Sequence, residues 1–332
     1  MSSPLYSIRN LTVEYKTRTG PARAVDDISL DIMRGEILGL VGESGCGKST
    51  LGKALMRLHT GPARITAGEL WFNDENLMEL SSRRMRQLRG SKLGMVFQDP
   101  MTSLNPVQRV VDHLTETMLT HEPEWTKKAA RERAEELVER LGILPERIDD
   151  YPHQMSGGMR QRVMISLAIA LNCDLVIADE PTTSLDVIVE AKFLDLLKEL
   201  QRDFNLTILL ITHNIGVVAE VADRVAVMYA GKLAEVGDTF EVFAAPQHPY
   251  TQGLLRSVPN IKLDGAELYK MEGTPPNLLH PPSGCRFHPR CPNVMDICSV
   301  QEPGFDPLHP GDPHRVACWL YEEQPVKVVG DV

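Results

Sequence analysis

The sequence predicts an α/β protein built on a mostly parallel sheet with helices on both faces. Three observations carry this. Ile37–Val41 is an apolar run that leads straight into Gly42-Glu43-Ser44-Gly45-Cys46-Gly47-Lys48-Ser49, the spacing of a phosphate-binding loop between a strand and a helix. Leu175–Ala178 and Leu206–Thr212 are further apolar runs of strand length, too continuous to leave one face wet. Helical patterns over Val187–Phe204 and Ile215–Ala222 alternate with them, and that order calls for a parallel sheet covered on both sides.

Size and composition narrow the class. A chain of 332 residues accommodates two domains, or one domain with an appendage, and 42% hydrophobic residues is ordinary for a soluble protein. No apolar run approaches the roughly 20 residues of a membrane helix. The opening MSSPLYSIRN lacks the charged-then-apolar layout of a signal peptide. A cytosolic site of action is expected, with docking onto a membrane partner left open. The net charge of −10 argues against broad binding to nucleic-acid phosphates.

Taken in order, residues 5–40 alternate apolar and polar in short runs such as Leu11–Tyr15 and Ile28–Ile32, with Gly20-Pro21 expected as the turn. Gly68–Phe72 reads as another strand and Asn73-Asp74 as its turn. Residues 76–90 are polar and helical, and Arg83, Arg84, Arg86 and Arg89 read as a solvated face. Lys92–Gln98 returns to strand. Over Val107–Leu141, Leu114, Met118, Ala134, Leu137 and Leu141 recur at helical spacing. Ser156-Gly157-Gly158 is a helix start leading into Arg162–Leu171. Beyond about residue 245 periodicity is lost and 14 of the 23 prolines are found, which marks a loop-rich appendage. No internal repeat is visible.

The chemistry-bearing residues follow the same frame. Glycines let loop N–H groups close around phosphate oxygens where a Cβ would intrude, and the helix starting near Gly47 points its positive end at the same anion. Lys48 reaches the β- and γ-phosphates, and Ser49 supplies an oxygen for Mg²⁺. Asp179 and Glu180 end an apolar strand: Asp179 suits Mg²⁺, and Glu180 is placed to orient and deprotonate an attacking water. Ser156-Gly157-Gly158 forms a second anion cradle, which one nucleotide does not need; the economical reading is that it serves the γ-phosphate on a partner's loop. Cys46 and Cys173 read as small packed thiols.

The phosphate loop, Gln98, Ser156-Gly157-Gly158, Asp179-Glu180, Ser184-Leu185-Asp186 and His213 occur in the order found in ATP-binding cassette (ABC) ATPases, which this chain resembles over about residues 5–240. The resemblance implies a P-loop NTPase of the ABC type, with an antiparallel β subdomain and a helical subdomain at about residues 98–160. The nucleotide-binding domain then spans 1–245 and a cysteine-containing extension 246–332. It also implies a head-to-tail dimer with two ATPs sandwiched between cassettes. On that template Gly42 to Ser49 with Thr50 bind ATP, Tyr15 stacks on adenine, and Gln98 links Mg²⁺ and the water to a membrane-facing groove. Asp186 makes the cross-dimer contact and His213 touches the γ-phosphate. Two departures stand out: Met159 where many relatives carry Gln, and Asn214 where Asp is common.

A narrower match lies in Phe97-Gln98-Asp99-Pro100-Met101-Thr102-Ser103-Leu104-Asn105-Pro106, in His248-Pro249-Tyr250-Thr251-Gln252-Gly253-Leu254-Leu255, and in the Cys285, Cys291, Cys298 and Cys318 tail. These resemble the oligopeptide/dipeptide importer branch. That resemblance implies a second and different cassette, two permease subunits, an extracytoplasmic binding protein, a place on the cytoplasmic face of the membrane, and no nucleic-acid partner. The tail cysteines are separated by five, six and nineteen residues, without the close pairs that structural zinc favours. An iron–sulfur cluster suits such gaps, and members of the branch carry [4Fe–4S] there; zinc or free thiols are the alternatives. The function expected is ATP hydrolysis driving peptide uptake. The alternatives are the same motor for a sugar or metal, a soluble ABC ATPase acting on nucleic acid or ribosomes, and a non-hydrolysing scaffold or cluster-based sensor.

Overall fold

The computed structural model describes residues 3–59, 61–99, 103–183, 185–257, 271–309 and 311–321. The alternation in the first forty residues becomes a long hairpin, β1 (Pro4–Thr17) and β2 (Gly20–Met33). Its turn is Arg18-Thr19 rather than Gly20-Pro21, because Gly20 and Pro21 already pair with Thr17 and Lys16. β4 (Ala63–Phe72) joins the other edge of β1, and β5 (Glu75–Asn76) completes an antiparallel sheet of order β2-β1-β4-β5.

The second sheet has the order β11 (Asp306–Pro307), β12 (Arg315–Val316), β10 (Lys232–Asp238), and then β9-β3-β8-β7-β6. Its parallel centre is β9 (Arg224–Tyr229), β3 (Ile37–Val41), β8 (Thr207–Thr212), β7 (Leu175–Asp179) and β6 (Leu93–Val96). Every residue of β3, β7 and β8 is buried. Successive side chains point to opposite faces, so each strand feeds two cores and has no use for a polar alternation. Leu38, Leu40, Ile177, Leu209 and Ile211 pack with the antiparallel sheet and with α1 (Lys48–Leu55). Ile37, Val176, Ile208 and Leu210 pack instead toward α6 (Val187–Phe204) and the helical subdomain.

That subdomain holds α3 (Val110–His121), α4 (Lys127–Arg140) and α5 (Gly157–Ile169), entered from β6 after α2 (Ser82–Ser91). The helical pattern over 107–141 is two helices, since Pro123 cannot continue the first and Thr126 caps the second, accepting from Ala129 N–H at 3.1 Å. Leu114, Met118, Ala134, Leu137 and Leu141 are all buried, as their spacing requires. After β8, α7 (Ile215–Val221) leads through β9 to β10 (Lys232–Asp238) and α8 (Thr239–Ala244). The C-terminal segment carries α9 (Pro249–Arg256) and two short strands, β11 (Asp306–Pro307) and β12 (Arg315–Val316). β12 pairs antiparallel with Glu235 and Val236 of β10, so the segment extends the main sheet instead of hanging from it.

Candidate nucleotide site

The loop between β3 and α1 is shaped by glycines that have no substitute. Gly47 has φ +109°, and a Cβ there would lie 1.9 Å from the Ala24 carbonyl oxygen. Gly42 would meet the Met228 carbonyl at 2.1 Å. Gly47 is also the N-cap of α1 and has no side chain to offer the first amides, which suits an N-terminus meant for an anion. Lys48 is 4% exposed and its Nζ donates to the carbonyls of Gly42 at 2.7 Å and Glu43 at 3.1 Å. The buried ammonium is thus held by loop carbonyls, which phosphate oxygens can replace.

Ser49 is the second residue of α1 and Asp179 ends β7, 130 residues apart, yet Ser49 Oγ donates to Asp179 Oδ1 at 2.7 Å. Two hard oxygen donors side by side at the loop fit Mg²⁺. Burial lifts the Asp179 carboxyl above its ordinary pKa, and the Ser49 hydrogen bond, Lys53 and Lys48 pull it partly back. Gln98 follows β6, whose Val96 pairs with Ala178, so it leaves the sheet at the same edge as Asp179; its side chain is exposed.

Glu180 has φ +48°, a left-handed conformation that costs a residue with a Cβ. Its amide donates to the Ile211 carbonyl at 2.8 Å, which anchors the turn to β8. Oε2 accepts from Thr183 Oγ1 at 2.9 Å and lies 3.0 Å from His213 Nδ1. Oε1 is then the oxygen left for a water. His213, half exposed at the end of β8, completes the row Ser49, Asp179, Glu180, His213 along one edge of the sheet. Tyr15 stands beside α1, its hydroxyl 3.1 Å from Thr50 Oγ1. Cys46 is buried under the loop, and Cys173 is buried with its thiol donating to the Ala168 carbonyl at 3.1 Å.

The remaining expected residues are elsewhere. Ser156 caps α5, accepting from Met159 N–H at 3.3 Å, and Asp186 caps α6, accepting from Val189 N–H at 3.0 Å. Among the described residues no hydrogen bond or ion pair joins Ser156, Gly157, Gly158 or Asp186 to the phosphate loop, Asp179 or Glu180. Ser184 and Pro100-Met101-Thr102 lie outside the described residues. Both departures have local uses. Met159 packs against the helical-subdomain core, and the Asn214 side chain caps α7 by accepting from Gly216 N–H at 3.0 Å, a task Asp performs equally.

Comparison with known proteins decides the family. The ABC transporter profile matches residues 25–183, and the profile for the oligopeptide/dipeptide transporter C-terminal region matches 234–298. The dipeptide transport ATP-binding protein DppD of Bacillus subtilis is 48% identical, over 96% of this chain and 95% of its own length. This chain belongs to the ABC transporter family, in its oligopeptide/dipeptide branch. The oligopeptide transport ATP-binding protein OppD of Bacillus subtilis is 45% identical over 98% of this chain and 91% of its own. Among solved structures, the dimeric ATP-binding cassette MJ0796 in a post-hydrolysis state with ADP and Pi superposes with a TM-score of 0.64 at 27% identity, covering 70% of this chain and 98% of that one. The cassette is therefore an ATP-hydrolysing P-loop subunit coupled to transport, as its motifs imply. No helix among the described residues is long and apolar enough to cross a membrane.

Among the described residues no group of three or more His, Cys, Asp or Glu side chains is arranged to hold a metal ion. Cys291 follows the 3₁₀ turn His288–Arg290, Cys298 lies in the 3₁₀ turn Asp296–Ser299, and Cys318 comes two residues after β12. Cys285, Cys291, Cys298 and Cys318 are all free thiols, and the first two Cys-to-Cys segments are closed by Cys285 N–H donating to the Cys298 carbonyl at 2.8 Å. Burial pushes the Cys285 thiol up to about 11 and the Cys318 thiol up to about 12, and each feels neighbouring thiols of the set. Backbone N–H groups of Phe287, Asn293 and Leu320, each two residues beyond a cysteine, oppose that rise.

Two residues to which the motifs assigned no role touch the loop from behind. Tyr250 and Arg290 both bond to Glu43. The only signal in the sequence was the place of Tyr250 inside the His248–Leu255 stretch and of Arg290 beside Cys291 in the tail.

Proposed function

We propose that this chain powers uptake of di- or oligopeptides, hydrolysing ATP while paired head to tail with a second cassette beneath two permease subunits. What supports the reading is that the residues it assigns to nucleotide fall into two groups with no bond between them. Lys48, Ser49, Asp179, Glu180 and His213 lie at the carboxyl ends of the central parallel strands, while among the described residues no hydrogen bond or ion pair joins Ser156–Gly158 or Asp186 to the phosphate loop, Asp179 or Glu180. Next to Asp186, Val187 and Ile188 are 81% and 70% exposed, an apolar pair suited to a partner surface. The names of the dipeptide and oligopeptide relatives support the cargo, and the peptide branch supports an extracytoplasmic binding protein and a place on the cytoplasmic face of the membrane. A groove of about 550 Å³ whose lining includes Met56, Met95, Phe97 and Met164 with Arg89 and Glu116 reaches the residue before Gln98 and supports permease docking.

In this reading Lys48 exchanges the Gly42 and Glu43 carbonyls for phosphate oxygens, and Tyr15 stacks on the adenine. Ser49 and Asp179, with Gln98, would hold Mg²⁺, which neutralises charge on the transferring phosphoryl group. Glu180, steadied through Oε2 by Thr183 and His213, takes the proton from the attacking water. Ser156, Gly157, Gly158 and Asp186 close over the nucleotide of the opposing cassette. Catalysis is mostly placement and charge stabilisation. Glu180→Gln is expected to leave ATP affinity intact and slow turnover by roughly 10²–10⁴-fold; comparable turnover in that variant would point to another base.

The four tail cysteines are read as ligands of a [4Fe–4S] cluster with a structural role. Free thiols near one another, with backbone N–H groups aimed at three of the sulfurs, support it. Anaerobically purified protein is expected to be brown, with iron and sulfide near about four each per chain. Colourless protein with stoichiometric zinc would reverse the assignment.

A further inference from the structure

The C-terminal segment grips the phosphate loop, and its contacts converge on Glu43. Arg290 clasps the Glu43 carboxylate with both terminal nitrogens, Nη1 to Oε2 at 2.7 Å and Nη2 to Oε1 at 2.9 Å. The rest of the guanidinium is used as well. Nη1 lies 3.2 Å from Tyr229 Oη, and Nε donates to the Glu272 carbonyl at 2.9 Å. Only 5% of the Arg290 side chain is exposed. The Glu43 amide meanwhile donates to Tyr250 Oη at 2.8 Å, and Tyr250 is fully buried. Tyr229, Tyr250 and Phe287 pack ring against ring at centroid distances of 4.6, 5.2 and 5.4 Å, so the platform under Glu43 is rigid.

An exposed ion pair would do little here. This one is bidentate and sheltered, where geometry is fixed and losing one partner leaves the other stranded. The loop needs such support. Gly42, Gly45 and Gly47 all have positive φ, and a glycine-rich segment has more conformations to lose than any other. Glu43 is the hinge of the arrangement. Its side chain and amide are taken by the tail, while its carbonyl and that of Gly42 receive Lys48. Arg290 itself is fixed by the 3₁₀ turn His288–Arg290 that ends at Cys291.

We propose that Arg290 is a positioning residue of the nucleotide site. It holds the phosphate loop in its binding shape through Glu43, and thereby makes ATP affinity depend on how the Cys285–Cys298 segment is folded. The proposal rests on reading Gly42–Ser49 as the ATP loop. Because coupling between two sites is reciprocal, bound nucleotide must in turn steady that segment.

The test uses the full chain with Mg²⁺ and a fluorescent ATP analogue. Arg290→Gln is expected to weaken binding by about 5- to 50-fold, with the loss in Kd and KM rather than in kcat. Arg290→Lys, which keeps the charge but not the fork, is expected to fall between. Glu43→Gln combined with Arg290→Gln is expected to be no worse than the poorer single variant. Hydrogen exchange over residues 285–298 is expected to slow on nucleotide binding in the parent and not in Arg290→Gln. Affinity within twofold of the parent in Arg290→Gln, or full additivity in the double variant, would overturn the proposal. If Arg290→Gln does not fold, Glu43→Gln carries the same expectation and Arg290→Lys the intermediate one. Lys48→Ala serves as the control: undiminished binding there would overturn the reading of the loop itself, whatever Arg290 does.

Discussion

Asp179 is 3% exposed, and its neighbour Lys48 is 4% exposed. Burial is the first cause of its raised pKa, ahead of the Ser49 hydrogen bond that lowers it. The sign of the consequence follows directly. The folded chain holds the Asp179 proton to a higher pH than the unfolded chain, so between the two pKa values the native state binds more protons. Stability from this group is therefore gained as pH falls through the raised folded pKa, and is lost once the carboxylate ionises above it. Asp179→Asn keeps an acceptor for Ser49 and removes the charge. Without nucleotide it is expected to melt higher than the parent at pH 8, by on the order of 1–4 °C, with the difference shrinking as pH falls. With Mg·ATP the order reverses, since the parent gains binding energy that the variant forgoes. Differential scanning calorimetry across pH checks both; an Asp179→Asn chain no more stable than the parent at pH 8 would refute the assignment. The left-handed Glu180 next door belongs to the same economy, in which a strained residue is kept where chemistry needs it.

Elements were legible in proportion to how much of their cause is local. β3, the phosphate loop, β7 and α6 follow from continuous apolar runs, from glycines and from caps, and α6 spans Val187–Phe204 as its periodicity requires. The break between α3 and α4 was equally local, written in Pro123 and Thr126, but a shared spacing of apolar residues on both sides masks it. α9 has only eight residues, too few for a period to emerge. Its cues are a Pro at the first helical position and His248 Nδ1 accepting from Tyr250 N–H at 3.0 Å. β12 is two residues long and owes its strand character to β10, some eighty positions earlier. The candidate site divides the same way. Lys48, Ser49, Asp179 and Glu180 announce themselves by spacing, whereas the Arg290–Glu43 clasp joins residues 247 positions apart and no spacing rule reaches it.

For the whole molecule, the question is why Gly157 is a glycine. Gly158 has a reason inside the chain, since a Cβ there would come 2.9 Å from Val189 Cγ1 on α6. Gly157 has none: a Cβ would meet nothing within 4 Å, and its φ is not in the left-handed region. On the head-to-tail pairing proposed above, the γ-phosphate of an opposing cassette would lie against the first turn of α5 and would supply the reason that the chain itself lacks. Gly157→Ala separates the two demands. The lone chain is expected to fold as firmly as the parent, or slightly more so, because alanine is the better helix former. Turnover is expected to fall on the order of 10²-fold, because a methyl group displaces the phosphate from the cradle and misaligned reactants lose rate steeply. In a Glu180→Gln background, where ATP should trap the pair, sedimentation is expected to show ATP-driven association in the parent and its loss in Gly157→Ala. An unchanged melting temperature together with undiminished turnover in Gly157→Ala, or a parent whose specific activity survives any dilution, would mean that a single chain completes its own site.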